Sequence, residues 1–375
     1  MAEPRPAAVY LDHNATAPVR NGVVAAMVEA LQACGNPSSV HGAGRAARAR
    51  VDRARRDIAL ALGLPADALL VFTSGGTEAN HLALKGTGAS RVLISALEHD
   101  SVCAAVPGAE IIPALPDGTI DLAALETLLK AGSEPTLVSV MAANNETGVL
   151  QPLAEIARLA HEAGALVHSD AVQAVGRVPL DPMALGIDLV TVSAHKLGGP
   201  LGVGALAIRP GLDMRAIQTG GGQERGLRSG TENVPGIAGF AVAVTEAIRE
   251  QSRWPDVAAL RDGIAQRLGA VEPDAVVFGA EASRLPNTLC IAMPGVPAET
   301  QVMALDLAGI AVSAGSACSS GKVKASHVLA AMGVPADLAR SAIRISLGLS
   351  STAADADRLV AAWTDLRRRT KGKAI

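Results

Sequence analysis

Residues 193–196 read Ser-Ala-His-Lys, follow the apolar run Leu-Val-Thr-Val at 189–192, and lead directly into Leu-Gly-Gly-Pro-Leu-Gly. An apolar run of that length, closed by glycine and proline, reads as a buried strand. Lys196 then stands at a strand mouth, where desolvation lowers an amine's pKa and makes it a competent Schiff-base nucleophile. A solvated lysine with its stem along the surface is the alternative.

Other residues have the types that would make such a lysine useful. Phe72 runs into Thr73-Ser74-Gly75-Gly76-Thr77-Glu78-Ala79-Asn80, a strand followed by a small-residue turn that opens a helix. Glycines there let backbone N–H groups approach an anion, and the helix N-terminus adds a favourable dipole; the alternative is a simple N-cap formed by Thr77. His168-Ser169-Asp170-Ala171-Val172-Gln173 places Asp170 at another strand end. A carboxylate there can keep a pyridine nitrogen protonated, with Gln173 one turn on within reach of the same ring, or it can cap a helix. His99 and Asn145 each follow strand-like runs, as site residues or as ordinary turn residues. Cys318 lies among small, glycine-flanked neighbours that suit an accessible thiol. Arg344, between Ile343 and Ile345, wants a carboxylate, supplied either by a substrate or by an internal Asp or Glu. The stretch Gly315 to Lys322 imitates a P-loop, but its glycines are spaced one residue too far apart and Val323 stands where a magnesium-binding hydroxyl belongs.

The elements that position these residues follow from hydrophobic pattern. Apolar runs at 69–72, 92–94, 137–140, 166–168 and 189–192 alternate with amphipathic stretches such as 153–163. That alternation predicts an α/β domain with a mainly parallel sheet, whose ligands gather beyond the carboxyl ends of the strands. After about residue 250 the pattern changes to runs at 288–293 and 342–346 separated by helical segments, as in a smaller α+β domain.

Composition narrows the function classes. The chain has 375 residues, a formal charge of −3 and 2% aromatic residues, too few stacking side chains and no basic excess for gripping nucleic acid. The Ala/Arg-rich segment 45–56 reads as the solvated face of a helix. No apolar run reaches membrane-spanning length, and the first residues lack the apolar core of a secretory leader. Cys34, Cys103, Cys290 and Cys318 show neither CxxC pairing nor metal-ligand spacing, so free thiols in a reducing cytoplasm are expected, with no metal site.

Taken in order, these motifs resemble the pyridoxal-phosphate-dependent cysteine desulfurases of the NifS/IscS type. The resemblance begins at Tyr10-Leu11-Asp12-His13-Asn14-Ala15-Thr16. It continues through Gly35-Asn36-Pro37-Ser38-Ser39, the motifs above, GGGQERGLRSGT at 220–231 and Gly315-Ser316-Ala317-Cys318. It implies fold type I of the pyridoxal-phosphate enzymes, with a large α/β domain at 16–250 and a small α+β domain from 1–15 and 251–375. It also implies a homodimer. By similarity, pyridoxal 5'-phosphate would be anchored on Lys196, paired through its ring nitrogen with Asp170, contacted at its ring oxygen by Gln173 and stacked by His99. Its phosphate would be held by Gly76, Thr77, Ser193 and His195, with Thr231 reaching in from the partner subunit. Asn145 and Arg344 would bind the substrate, L-cysteine, and Cys318 would take its sulfur as a persulfide. The sulfur would pass to an iron–sulfur scaffold or another acceptor. A selenocysteine lyase, another aminotransferase-like enzyme or a non-catalytic sulfur-relay component are the competing readings. Two departures stand out: Asp100 follows His99 where Lys or Pro is common, and Leu349 stands where Arg often follows Ser346-Leu347-Gly348.

Overall fold

The computed structural model describes residues 8–314 and 326–371. Its largest sheet has seven strands: β1 (Leu69–Thr73), β2 (Arg91–Ser95), β3 (Glu110–Ile112), β4 (Thr136–Ser139), β5 (Leu166–Asp170), β6 (Leu189–Ser193) and β7 (Gly204–Ile208). They lie in the order β1-β7-β6-β5-β4-β2-β3. Every neighbouring pair is parallel except those made by β7, which runs antiparallel to both β1 and β6. The five predicted strands are all present, and the predicted amphipathic helix spans Leu153–Glu162. Continuous apolar runs form these strands because both faces of the sheet are covered. Phe72, Val190, Val192 and Ala205 point to a core shared with Val51, Ile58 and Phe240 of helices Gly42–Ala61 and Val234–Arg249. Val71, Leu189 and Leu206 point the other way, onto Ala79, Leu82 and Ala83 of helix Gly76–Gly86.

Strand β7 escaped the hydrophobic pattern because Gly-Val-Gly at 202–204 reads as a continuation of the glycine-rich turn. Its register decides the site. Gly204 is the partner of Thr73 on one side and Ser193 on the other, which brings the ends of β1 and β6 to one level. A Cβ on Gly204 would lie 2.7 Å from the Gly75 carbonyl carbon and 2.8 Å from the Val192 oxygen, both backbone atoms that cannot swing aside.

A second, antiparallel sheet contains β8 (Val276–Val277), β9 (Thr288–Ala292), β10 (Ser313–Ala314) and β11 (Ala342–Ser346), in the order β10-β11-β9-β8. It packs with helices Trp254–Val271, Ala298–Leu307 and Ala353–Lys371 around Ile264, Leu305, Ile343 and the fully buried Trp363. The segment Val9–Tyr10 pairs in parallel with Ile310–Ala311, so Val9 and Leu11 join this core although they open the described chain. Asp12, His13 and Asn14 are thereby drawn to the boundary with the large sheet. Among the described residues, no helix is long and apolar enough to cross a membrane.

Gly204→Ala should lower folding stability by about 1–3 kcal/mol, the usual cost of overpacking against atoms that cannot move. A denaturant midpoint equal to that of the unaltered protein would show that the close approach of β7 to the Gly75 turn carries no constraint.

Candidate active site

The turn after β1 is built for an anion. Gly75 has φ +155°, which lets the chain turn sharply, and helix Gly76–Gly86 starts behind it with no side-chain cap. The N-cap is therefore Gly75 rather than Thr77, which lies inside the first turn and is exposed. The first amides of the helix remain available to a ligand. The Glu78 carboxylate reaches back to accept from the Ser74 amide at 2.7 Å and from Arg228 Nε at 2.7 Å, bracing the turn from outside. Those bonds to Arg228 and Ser74 outweigh burial and hold the Glu78 carboxyl below its ordinary range. Across from the turn, the Ser193 hydroxyl is buried without a hydrogen-bond partner among the described residues. A Cβ on Gly76 would lie 3.7 Å from that of Ser193 and 3.2 Å from Val172 Cγ2, so β1, β5 and β6 converge on this corner.

Asp170 closes β5, and its carboxylate accepts from Asn80 Nδ2 at 2.8 Å and from the Val172 amide at 3.0 Å. Asn80 Nδ2 also donates to Ser101 Oγ at 2.9 Å, and that hydroxyl lies 2.8 Å from His99 Nδ1. A hydrogen-bonded chain thus joins Asp170 to His99. The Ser101 amide donates to the same His99 Nδ1 at 3.1 Å, making His99 the N-cap of Asp100–Cys103. A ring nitrogen that accepts from a backbone N–H carries no proton, so the neutral His99 ring holds its proton on Nε2.

Lys196 ends a short 3₁₀ turn after β6, and its amine donates to the carbonyls of Asn14 at 2.6 Å and Ala15 at 2.9 Å. Burial, helped by the positive charges of Arg344 and Arg177 and opposed by Asp170 and Asp12, lowers its pKa to about 7. Gln173 Nε2 donates to the same Asn14 carbonyl at 3.0 Å, so the amide and the amine meet at one point. His195 sits beside Thr16, Nδ1 to Oγ1 at 3.3 Å; burial and then Lys196 lower its pKa to about 4, so it is neutral at pH 7. A cavity of about 290 Å³, lined by His13, Arg20, Arg177, Lys196 and Trp254, lies against this lysine.

Arg344 extends from β11. It donates to Asp12 Oδ1 at 2.8 Å and to the Asn145 carbonyl at 3.1 Å, while its Nε is buried with no partner among the described residues. The internal-carboxylate alternative is therefore realised, and the buried Nε–H is left over. Asn145 meets Arg344 through its backbone. Thr231 lies apart, in a cleft of about 320 Å³ with Cys34, Pro37 and Arg50. Cys318 lies outside the described residues.

Several participants stand in or beside the motifs, yet the sequence assigned them no role. Asn80, Asp12 and Asn14 are short polar residues whose partners are distant in sequence, and Ser101 links the nearby His99 to the distant Asn80. Glu98, next to His99, is fully buried; its Oε1 accepts from the Met141 amide at 2.7 Å, and burial pushes its carboxyl well above the ordinary range. Its position before His99 was the only available hint.

The profile of the "Aminotransferase class-V" family matches residues 9–359. A cysteine desulfurase from Cereibacter sphaeroides is 44% identical over 366 residues, covering 94% of each chain. A cysteine desulfurase IscS from Dictyoglomus turgidum is 41% identical, covering 92% of this chain and 91% of its own. The solved structure of a NifS-like protein from Rickettsia africae superposes with a TM-score of 0.91 at 36% identity, covering 96% of this chain and 99% of the other. The chain belongs to the class-V aminotransferase family. Within it the chain groups with the NifS/IscS-like cysteine desulfurases, and the fold is the type I fold of pyridoxal-phosphate enzymes.

The residues fit the family's cofactor, pyridoxal 5'-phosphate. The uncapped first turn at Gly76 and the unpartnered Ser193 hydroxyl are donors that need a phosphate-like acceptor. Asp170 supplies a carboxylate for a protonated ring nitrogen, and Lys196 an amine that is half-neutral near pH 7.

In the cofactor-free protein, the rate at which an amine-directed reagent modifies Lys196 should show a midpoint near pH 7. Asp170 favours the protonated amine and Arg344 disfavours it. Asp170→Asn should therefore lower the midpoint, and Arg344→Gln should raise it, each by about a unit. Peptide mapping across pH measures this, and a midpoint near that of a free lysine would refute the desolvated site.

Proposed function

We propose that this enzyme is a pyridoxal-phosphate-dependent cysteine desulfurase that converts L-cysteine to L-alanine and takes the sulfur on Cys318 as a persulfide. The observation that carries this reading is the buried Lys196 amine, held on the Asn14 and Ala15 carbonyls in the field of the Asp170 carboxylate, just past the strand end whose Ser193 lies across from the uncapped helix at Gly76. The desulfurase relatives over nearly the whole chain support the same assignment.

Pyridoxal phosphate, when bound, supplies a sink for the electron pair left at Cα of an amino acid. Gly76, Thr77, Ser193 and His195 would hold its phosphate, Asp170 would keep its ring nitrogen protonated, and Gln173 would donate to its ring oxygen. Lys196 would anchor it and would serve as the base for the substrate's Cα proton; an amine near neutrality is suited to both roles. Arg344 grips the substrate carboxylate with its spare Nε–H, with Asn145 alongside. His99 would stack on the ring and would move protons through Nε2, since its Nδ1 is occupied by Ser101.

The Cys318 thiolate then attacks the substrate sulfur. The Cβ–S bond breaks with its electron pair left on carbon, which is protonated to the methyl of alanine, and a new S–S bond forms on Cys318. L-cysteine and one thiol give L-alanine and one persulfide, so no outside oxidant is required. The wider setting we propose is a cytoplasmic homodimer, with Thr231 serving the partner's site. Each subunit divides into a large domain at 16–250 and a small one from 1–15 and 251–375. The sulfur would pass to an iron–sulfur scaffold protein or another acceptor.

Cys318→Ala should retain the visible absorption of the bound cofactor yet lose cysteine-dependent alanine formation by at least about 100-fold. Lys196→Ala should abolish the protein–cofactor adduct trapped by borohydride and seen by mass spectrometry. Alanine formation by Cys318→Ala at the rate of the unaltered enzyme would overturn the assignment of the sulfur-accepting thiol.

A further inference from the structure

Arg177 is the least explained charge in the molecule. It is 4% exposed and forms no ion pair among the described residues. Its guanidinium donates only to neutral oxygens: Gln173 Oε1, the Gln173 carbonyl at 3.1 Å, and the carbonyls of His13 and Lys196, both at 3.4 Å. Burial, and then Arg344, lower its pKa to about 9, which still leaves it cationic at neutral pH. A buried cation without a carboxylate costs stability, so packing does not account for it.

Its contacts determine which way Gln173 faces. Guanidinium has donors and no acceptor, so the carboxamide must turn its oxygen toward Arg177. The Asn14 carbonyl is an acceptor only, so the opposite end must be Nε2, as observed at 3.0 Å. Both neighbours impose the same orientation, and Nε2 therefore lies where the Lys196 amine lies, at the Asn14 carbonyl. Without Arg177 the oxygen would lose its donor and the carboxamide could rotate. A rotated amide would present an acceptor to the oxygen it is meant to bind.

We infer that Arg177 is a positioning residue that acts through Gln173: it locks the carboxamide with N–H toward the cofactor's ring oxygen and polarises that N–H with a permanent charge behind it. This rests on the proposed binding of pyridoxal phosphate at Lys196. A donor backed by a cation stabilises negative charge on the ring oxygen. The proton shared between that oxygen and the lysine nitrogen is then held less tightly, and the pH midpoint of the visible band falls. The other charges facing Lys196 are Arg344 from β11, Asp170 from β5 and Asp12 from the N-terminal segment, with His195 beside it and His13 near Arg177. Burial, and then Arg177, lower His13 to about 4, so both histidines are neutral across the range that matters and leave the shift to the fixed charges.

The test is a spectrophotometric pH titration of reconstituted protein in a double-mutant cycle. Arg177→Met should raise the midpoint of the visible band by about one unit. Arg177→Lys, which keeps a donor and the charge, should stay close to the unaltered protein. In a Gln173→Ala background, Arg177→Met should add less than about half of its single effect. Full additivity would make Arg177 a charge acting on Lys196 directly and would overturn the inference, as would a shift in Arg177→Lys equal to that in Arg177→Met. Because loss of a buried guanidinium can unfold the chain, circular dichroism is recorded for each variant and the cycle is repeated with Arg177→Gln. An unmoved midpoint in that variant also overturns it. Unaltered protein that shows no band after reconstitution would instead refute the cofactor reading itself.

Discussion

With no side chain at Gly204, β7 fits between β1 and β6 so closely that Thr73 and Ser193 flank the same residue. Everything polar in the site is placed relative to that contact. The Gly75 turn comes against the end of β6, the helix behind it starts without a side-chain cap, and Lys196 follows Ser193 three residues later. Because β7 is antiparallel in an otherwise parallel sheet, the glycine-rich turn at 197–202 can fold straight back. It thereby serves as a tight connection where a parallel arrangement would need a long crossover.

Around that corner the site balances buried charges that would not be stable singly. Lys196, Arg177 and Arg344 face Asp170 and Asp12, with the surplus positive charge near the amine. Desolvation is the largest influence on Lys196, and the arginines add to it. The same surplus suits an anionic ligand, which would supply the charge the protein withholds. The unpartnered Ser193 hydroxyl and Arg344 Nε–H belong to the same logic: polar groups left over when the protein's own contacts have been counted.

The N-terminal segment ties the two cores together. Val9 and Leu11 are buried beside the second sheet, yet Asp12 meets Arg344 and the Asn14 carbonyl receives both Lys196 and Gln173. Residues at the start of the chain therefore complete a site whose amine comes from the middle and whose arginine comes from near the end.

Local pattern was enough for the strands with continuous apolar runs and for the polar residues at their carboxyl ends, since burial on both faces and ligand binding at strand mouths leave marks within a few residues. The positions of Lys196 and Asp170 at strand ends were legible for that reason. Strand β7 was hidden because its glycines look like a turn. The alternative of Thr77 as a cap falls away only with the backbone, which starts the helix at Gly76. The roles of Asn80, Asp12, Glu98 and Arg177 depend on partners brought close by folding, and no spacing along the chain encodes such distances. Sequence alone determined which chemistry the residue types permit and the motif order that marks the family. Tertiary structure decided which donors stay unsatisfied, which way the Gln173 amide faces and how far burial lowers the Lys196 amine, because desolvation and hydrogen-bond satisfaction are properties of the packed whole.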